Sequence, residues 1–193
     1  MGSALNVARF GAATWWLILS VVAFATSWEG LKVLTGVAGS FWIGLSTFGV
    51  YWGPDEDWEF SGRRARFMSE LPIRPWRLGL ASMTIGLVLA APCIGLVDTH
   101  VGIAAFLVGA LIGASLGDFF SFLASLAGAL ASLSVFRLAP SLALEVLACL
   151  TLLTFNSSYR SRKRWLSERL VWASLVAVVP LALASLGVYF KNG

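Results

Sequence analysis

The sequence predicts an all-α fold, a polytopic transmembrane helix bundle of about six or seven spans. Three observations predict it. Of the 193 residues, 58% are hydrophobic and 12% charged, with a mean hydropathy of +0.82, whereas soluble domains carry about 25% charged residues. The charges gather in a few short stretches. Between them the chain is apolar for roughly 18 to 25 residues at a time, and about 20 residues of helix cross a hydrocarbon core about 30 Å thick. Lipid penalises unpaired backbone groups, so such runs form helices or closed barrels. These runs are too long and too uniformly apolar for barrel strands, which alternate in polarity. The expected arrangement is a single transmembrane domain over residues 1–193, multi-pass in the cell membrane. The net charge of +4 then speaks of loop topology rather than of nucleic acid.

The first run is Phe10 to Trp28, preceded by Arg9. Ala23-Phe24-Ala25 is faintly like a signal-peptidase site, but the run is expected to remain as an uncleaved first span. Glu29 and Lys32 mark a short turn before the second run, Val33 to Trp52. Trp15, Trp16 and Trp28 flank the first span, and Trp42, Tyr51 and Trp52 the second; such rings favour the headgroup level. The third run is Leu78 to Val97, with Pro92 placed to kink it. After the polar turn Asp98-Thr99-His100, Val101 to Phe136 is apolar except for Asp118. It is too long for one upright span and short for two. Leu138 to Phe155 is apolar except for Glu145, residues 156–169 form a basic loop, and Leu170 to Phe190 is the last run.

The number of spans decides sidedness. Basic loops favour the cytoplasmic side. Six spans place the polar loop 53–77 and the basic loop 156–169 on opposite sides; seven place them together. Asn156-Ser157-Ser158 is also a glycosylation sequon, and modification there would put its loop outside.

The 53–77 loop opens acidic, with Asp55, Glu56, Asp57 and Glu59, and turns basic, with Arg63, Arg64, Arg66, Arg74 and Arg77. Ser61 to Leu71 fits a short amphipathic helix with Phe67, Met68 and Leu71 on one side and the arginines elsewhere, closed by Pro72 and Pro75. Its apolar side suits a groove on a soluble partner, or the headgroup layer of the membrane.

Gly102, Gly109, Gly113 and Gly117 return to nearly one azimuth of a helix. Glycines on one face let two helices approach closely in lipid, so this face is expected in helix packing or at a dimer seam. Asp118 and Glu145 are intramembrane polar residues; an ionisable group at a helix centre costs at least about 2.5 kcal/mol, so it faces protein or water, or lies near a helix end. Cys93 and Cys149 are isolated in apolar runs and read as small packing residues. His100, the sole histidine, lies in a turn as a solvated residue or an axial haem ligand. Gly113-Ala114-Ser115-Leu116-Gly117 is like a rhomboid serine motif, but that chemistry needs a histidine on a later helix. No catalytic residue, metal ligand set or cofactor is expected, and the chain is read as no enzyme.

The stretch Ser61 to Leu80 resembles the segment after the second span of ABC-2-type permeases, where an acidic-to-basic run leads to a Leu-Pro-aliphatic element and the third span. The corresponding residues are Glu59, Glu70-Leu71-Pro72-Ile73 and Leu78-Gly79-Leu80. Leu87 to Pro92 and Gly109 to Ala124 are similar to spans of the haem-exporter B subunit family of cytochrome c maturation (CcmB). The likeness covers roughly residues 41–131, about two-thirds of the membrane region by the span lengths above. It implies a permease subunit of an ABC-type exporter, with haem export as its specific version. A separate ABC ATPase subunit would couple through Arg63, Arg64, Phe67, Met68, Glu70 and Leu71, and the permease would form a homo- or heterodimer. The position of the basic loop departs from that family's six-span topology. A scaffold subunit of a larger membrane complex is the alternative, and a small gradient-driven transporter using Asp118 a third reading.

Overall fold

The computed structural model describes the backbone of residues 2–49, 75–115 and 119–160, with side chains for 14–49, 76–115 and 122–156. Six α-helices account for nearly all of these residues, and no strand occurs among them. They are α1 (Gly2–Ala25), α2 (Glu29–Gly49), α3 (Pro75–Ile94), α4 (Thr99–Ser115), α5 (Phe119–Phe136) and α6 (Pro140–Arg160).

The helices begin and end where local chemistry directs. Asp98 caps α4: its Oδ1 accepts the backbone N–H of His100 at 2.9 Å and of Val101 at 3.3 Å, satisfying donors that have no partner within the helix. Pro75 and Pro140 open α3 and α6, positions where a missing N–H costs nothing. Pro92 sits inside α3 near its end, which follows at Ile94. Glu29 in the first turn of α2 accepts a 2.9 Å hydrogen bond from Lys32 Nζ.

Neighbours in sequence run antiparallel. A Cβ built on Gly36 of α2 would meet Val97 and the Cys93 carbonyl, near the end of α3, whereas Thr47 lies beside Gly86, higher up α3. Gly102 faces Ile94, and Gly86 faces Phe106, which sets α4 antiparallel to α3. The helices α2 and α4 therefore run parallel. Turns at 26–28, 95–98 and 137–139 lie at one end of the bundle. Gly49, Pro75, Ser115, Phe119 and Arg160 mark the other, called here the connector end.

Val101 to Phe136 is thus two helices, broken between Ser115 and Phe119. Two other boundaries also move. Helix α6 runs to Arg160, so Asn156–Arg160 belong to a helix rather than to the loop expected at 156–169, and Pro75–Arg77 belong to α3 rather than to the polar loop 53–77. In each case the helix reaches beyond the limit of the apolar run, because its hydrogen bonds do not depend on side-chain polarity.

The centre is α4, apolar on every side and buried from Gly102 to Ser115 along most of its length, as expected of a helix surrounded by others. Phe48, Phe106, Leu111, Leu147 and Phe155 fill the core. The outside is equally apolar. Val21, Phe24, Ile85, Val88 and Leu130 are all more than half exposed, while Ser20, Thr35, Ser40, Ser115, Ser125, Ser132 and Thr151 are buried. Two helices, Glu29–Gly49 and Trp76–Ile94, are long and apolar enough to cross a membrane among the described residues.

Candidate functional site at the crossing of α2 and α4

The closest helix contact that can be described lies between α2 and α4. It depends on side chains that are missing. A Cβ built on Gly44 would collide with the carbonyl oxygen of Phe106, and one on Gly109 with the carbonyl oxygen of Phe41. One on Gly113 would stand 2.5 Å from the Leu45 carbonyl oxygen and 3.1 Å from the Gly49 nitrogen. The colliding atoms are backbone and cannot swing aside. In each glycine the hydrogen that replaces the side chain points at a carbonyl of the facing helix. This is a Cα–H···O contact, worth roughly 0.5–1 kcal/mol. The exchange is reciprocal, from α2 to α4 at Gly44 and from α4 to α2 at Gly109 and Gly113.

The α2 half of this crossing escaped sequence reasoning, which singled out only the α4 glycines. Its signal was available: Ser40 and Gly44 are small residues four apart, the same spacing as Gly109, Gly113 and Gly117, and Gly36, four residues earlier, packs against the end of α3 instead. Gly102 packs against a different neighbour. It meets Ile94 of α3, with a built Cβ 3.0 Å from the Ile94 Cα, because the short turn between α3 and α4 brings that residue directly across.

A second close approach flanks the crossing. A Cβ on Gly39 would stand 2.7 Å from Cys93 Sγ, and the same thiol lies 3.9 Å from the Trp16 carbonyl oxygen. Cys93 thus joins α1, α2 and α3 as a buried packing residue, whereas Cys149 is exposed on α6. Both are free thiols.

The interior holds hydroxyls but no charge among the described residues. Among the described residues Glu29, Asp98, His100, Arg137 and Glu145 are exposed and Lys32 is half-buried. Glu145 lies on the second turn of α6 and His100 beside Asp98, its Nδ1 3.6 Å from that carboxylate. The hydroxyls bond mainly within their own helices. Thr47 donates to the Ile43 carbonyl at 2.7 Å, Ser132 to Gly128 at 2.8 Å, and Thr151 to Leu147 at 2.8 Å with a longer approach to Leu107 of α4 at 3.5 Å. Buried Ser40, Ser125 and Thr154 have no hydrogen-bond partner among the described residues. No group of three His, Cys, Asp or Glu residues is placed to hold a metal ion among them either.

Arg63, Arg64, Phe67, Met68, Glu70, Leu71, Gly117 and Asp118 lie outside the described residues. No protein-family model, curated protein or solved structure matches the chain.

Proposed function

We propose that this chain is a multi-pass integral membrane protein and, within that class, the permease subunit of an ABC-type exporter driven by a separate ATPase. The observation that carries the membrane reading is that the outside of the bundle is as apolar as its core: many leucine, isoleucine and valine side chains are exposed, while serines and threonines are buried among the apolar core residues. In water each large apolar side chain left outside forgoes about 1.5–3 kcal/mol of burial, and contiguous apolar patches of this kind are uncommon on soluble monomers. In lipid that loss vanishes. Helices then associate through close packing of small residues, and exposed hydroxyls are satisfied by their own helix. Thr84 and Ser134 do this, donating to the Leu80 and Leu130 carbonyls four residues back. Helices α4, α5 and α6 contain 17, 18 and 21 residues, within the roughly 17–25 that a span requires. By its length and apolar composition alone, the run Leu170 to Phe190 is suited to a further span.

The permease role rests on the resemblance of Ser61–Leu80 to a coupling segment, with haem export as the specific version and a second permease copy or homologue as partner. ATP-driven movement of the partner would reach the glycine crossing through α2 and α3, which flank that segment. Affinity purification in mild detergent tests the role. An ATPase should accompany the chain, and charge reversal at Arg63, Arg64 or Glu70 should release it without loss of membrane insertion. A scaffold subunit is the second reading, favoured by the backbone-close seam of α2 and α4, which suits a rigid element. A stable assembly that contains no ATPase would decide for the scaffold.

A further inference from the structure

We infer that the bundle is oriented with its connector end toward the cytoplasmic leaflet, so that both basic segments of the chain meet the same anionic headgroup surface. The inference rests on the membrane reading above and adds its sidedness. Three observations place the segments together. Val101 to Phe136 folds as two helices, so α6 rises in the same direction as α2 and α4. Phe155, near the end of α6, touches Phe48, next to the end of α2, with ring centroids 5.4 Å apart. A Cβ on Gly79, in the second turn of α3, would stand 3.0 Å from the same Phe155 ring. The ends of α2 and α6 and the start of α3 therefore share one level.

Charge then sets the direction. Attached at that end are Arg63, Arg64, Arg66, Arg74 and Arg77 on one side, and Arg160, Arg162, Lys163, Arg164 and Arg169 on the other. The three turns at the opposite end have only Lys32 and Arg137 as cations in and beside them, next to Glu29 and Asp98. Lysine and arginine near span ends are retained on the cytoplasmic side, and each is attracted to an anionic leaflet. Aromatic rings mark both levels. Trp28 is exposed at the turn end, and Trp76 is exposed at the connector end with the Arg77 guanidinium 5.4 Å from its ring centroid, a pairing suited to the interface.

The test is thiol labelling of the full chain in sealed membrane vesicles of known orientation, with a charged, impermeant maleimide. Ser61→Cys and Ser161→Cys report the connector end, and Ser27→Cys and Ala139→Cys the turn end. The unsubstituted chain, with Cys93 buried and Cys149 within α6, sets the background. The connector-end pair should label in inverted vesicles and lose labelling in right-side-out ones, with the turn-end pair reversed. Labelling of Ser61→Cys and Ser161→Cys from opposite sides overturns the shared end; labelling of both from outside overturns the cytoplasmic assignment. Alkaline carbonate separates this from failure of the membrane reading, since a chain stripped from the vesicles refutes both.

Discussion

The ring of Phe48 meets that of Phe155 edge to face, with the two planes at 81°. One residue is next to last in α2 and the other lies in the last two turns of α6, so a single contact ties residues more than a hundred positions apart at one level of the bundle. Both side chains are fully buried. Edge-to-face rings contribute about 0.5–1.5 kcal/mol beyond the area they bury. A double-mutant cycle with Phe48→Leu and Phe155→Leu, read from denaturation in detergent, is expected to give a coupling in that range. Strict additivity would show that the two rings do not meet.

The α2–α4 crossing predicts an asymmetry among glycine substitutions. Gly44→Ala and Gly109→Ala place a methyl group on a carbonyl oxygen of the facing helix. They should each cost at least the upper end of the roughly 1–3 kcal/mol that overpacking costs. Gly95→Ala, whose nearest neighbour is a carbonyl at 3.5 Å, should leave the midpoint unchanged.

Gly39 allows a rescue that Gly44 does not. Its obstacle is the Cys93 sulfur, at 2.7 Å, and the next atom is the Cys93 Cβ at 3.4 Å. Gly39→Ala should destabilise, and Cys93→Ala in the same chain should restore most of the loss, because the second change removes the sulfur and leaves ordinary contact. The same thermal or denaturant midpoints check it. Simple addition of the two costs would contradict the geometry.

Lipid and water give opposite forecasts for the outer face. Ile85 and Leu130 are 60% and 61% exposed. In water, lysine at either position would be within about 0.5 kcal/mol of neutral. At the centre of a span it opposes insertion by about 2.5–3.5 kcal/mol. Ile85→Lys and Leu130→Lys should therefore lower the carbonate-resistant fraction several-fold relative to Ile85→Val and Leu130→Val.

Asp98 makes a smaller, local forecast. Removing its carboxylate with Asp98→Ala leaves the His100 and Val101 N–H groups unsatisfied at the start of α4, a loss of about 0.5–2 kcal/mol. Asp98→Asn keeps an acceptor and should retain most of the stability in the same melting experiment.

Residue order alone was sufficient for the class of structure. Backbone pairing is a local demand, so the apolar run that begins at Val33 announces a helix without reference to any other part of the chain, and α2 carries it to Gly49. The close-packing glycines of α4 were legible for the same reason, since the spacing of Gly109 and Gly113 defines a face. Which partner occupies that face was decided only in three dimensions. Helices that are apolar on all sides carry no polar stripe to show which way is inward. Nothing in the run containing Gly109 points to Phe41, nor in that containing Phe155 to Phe48. The division of Val101 to Phe136 into two helices, and with it the common end of α2 and α6, was likewise settled only by the structure: the run is apolar except for Asp118, and its length is too great for one upright span and short for two.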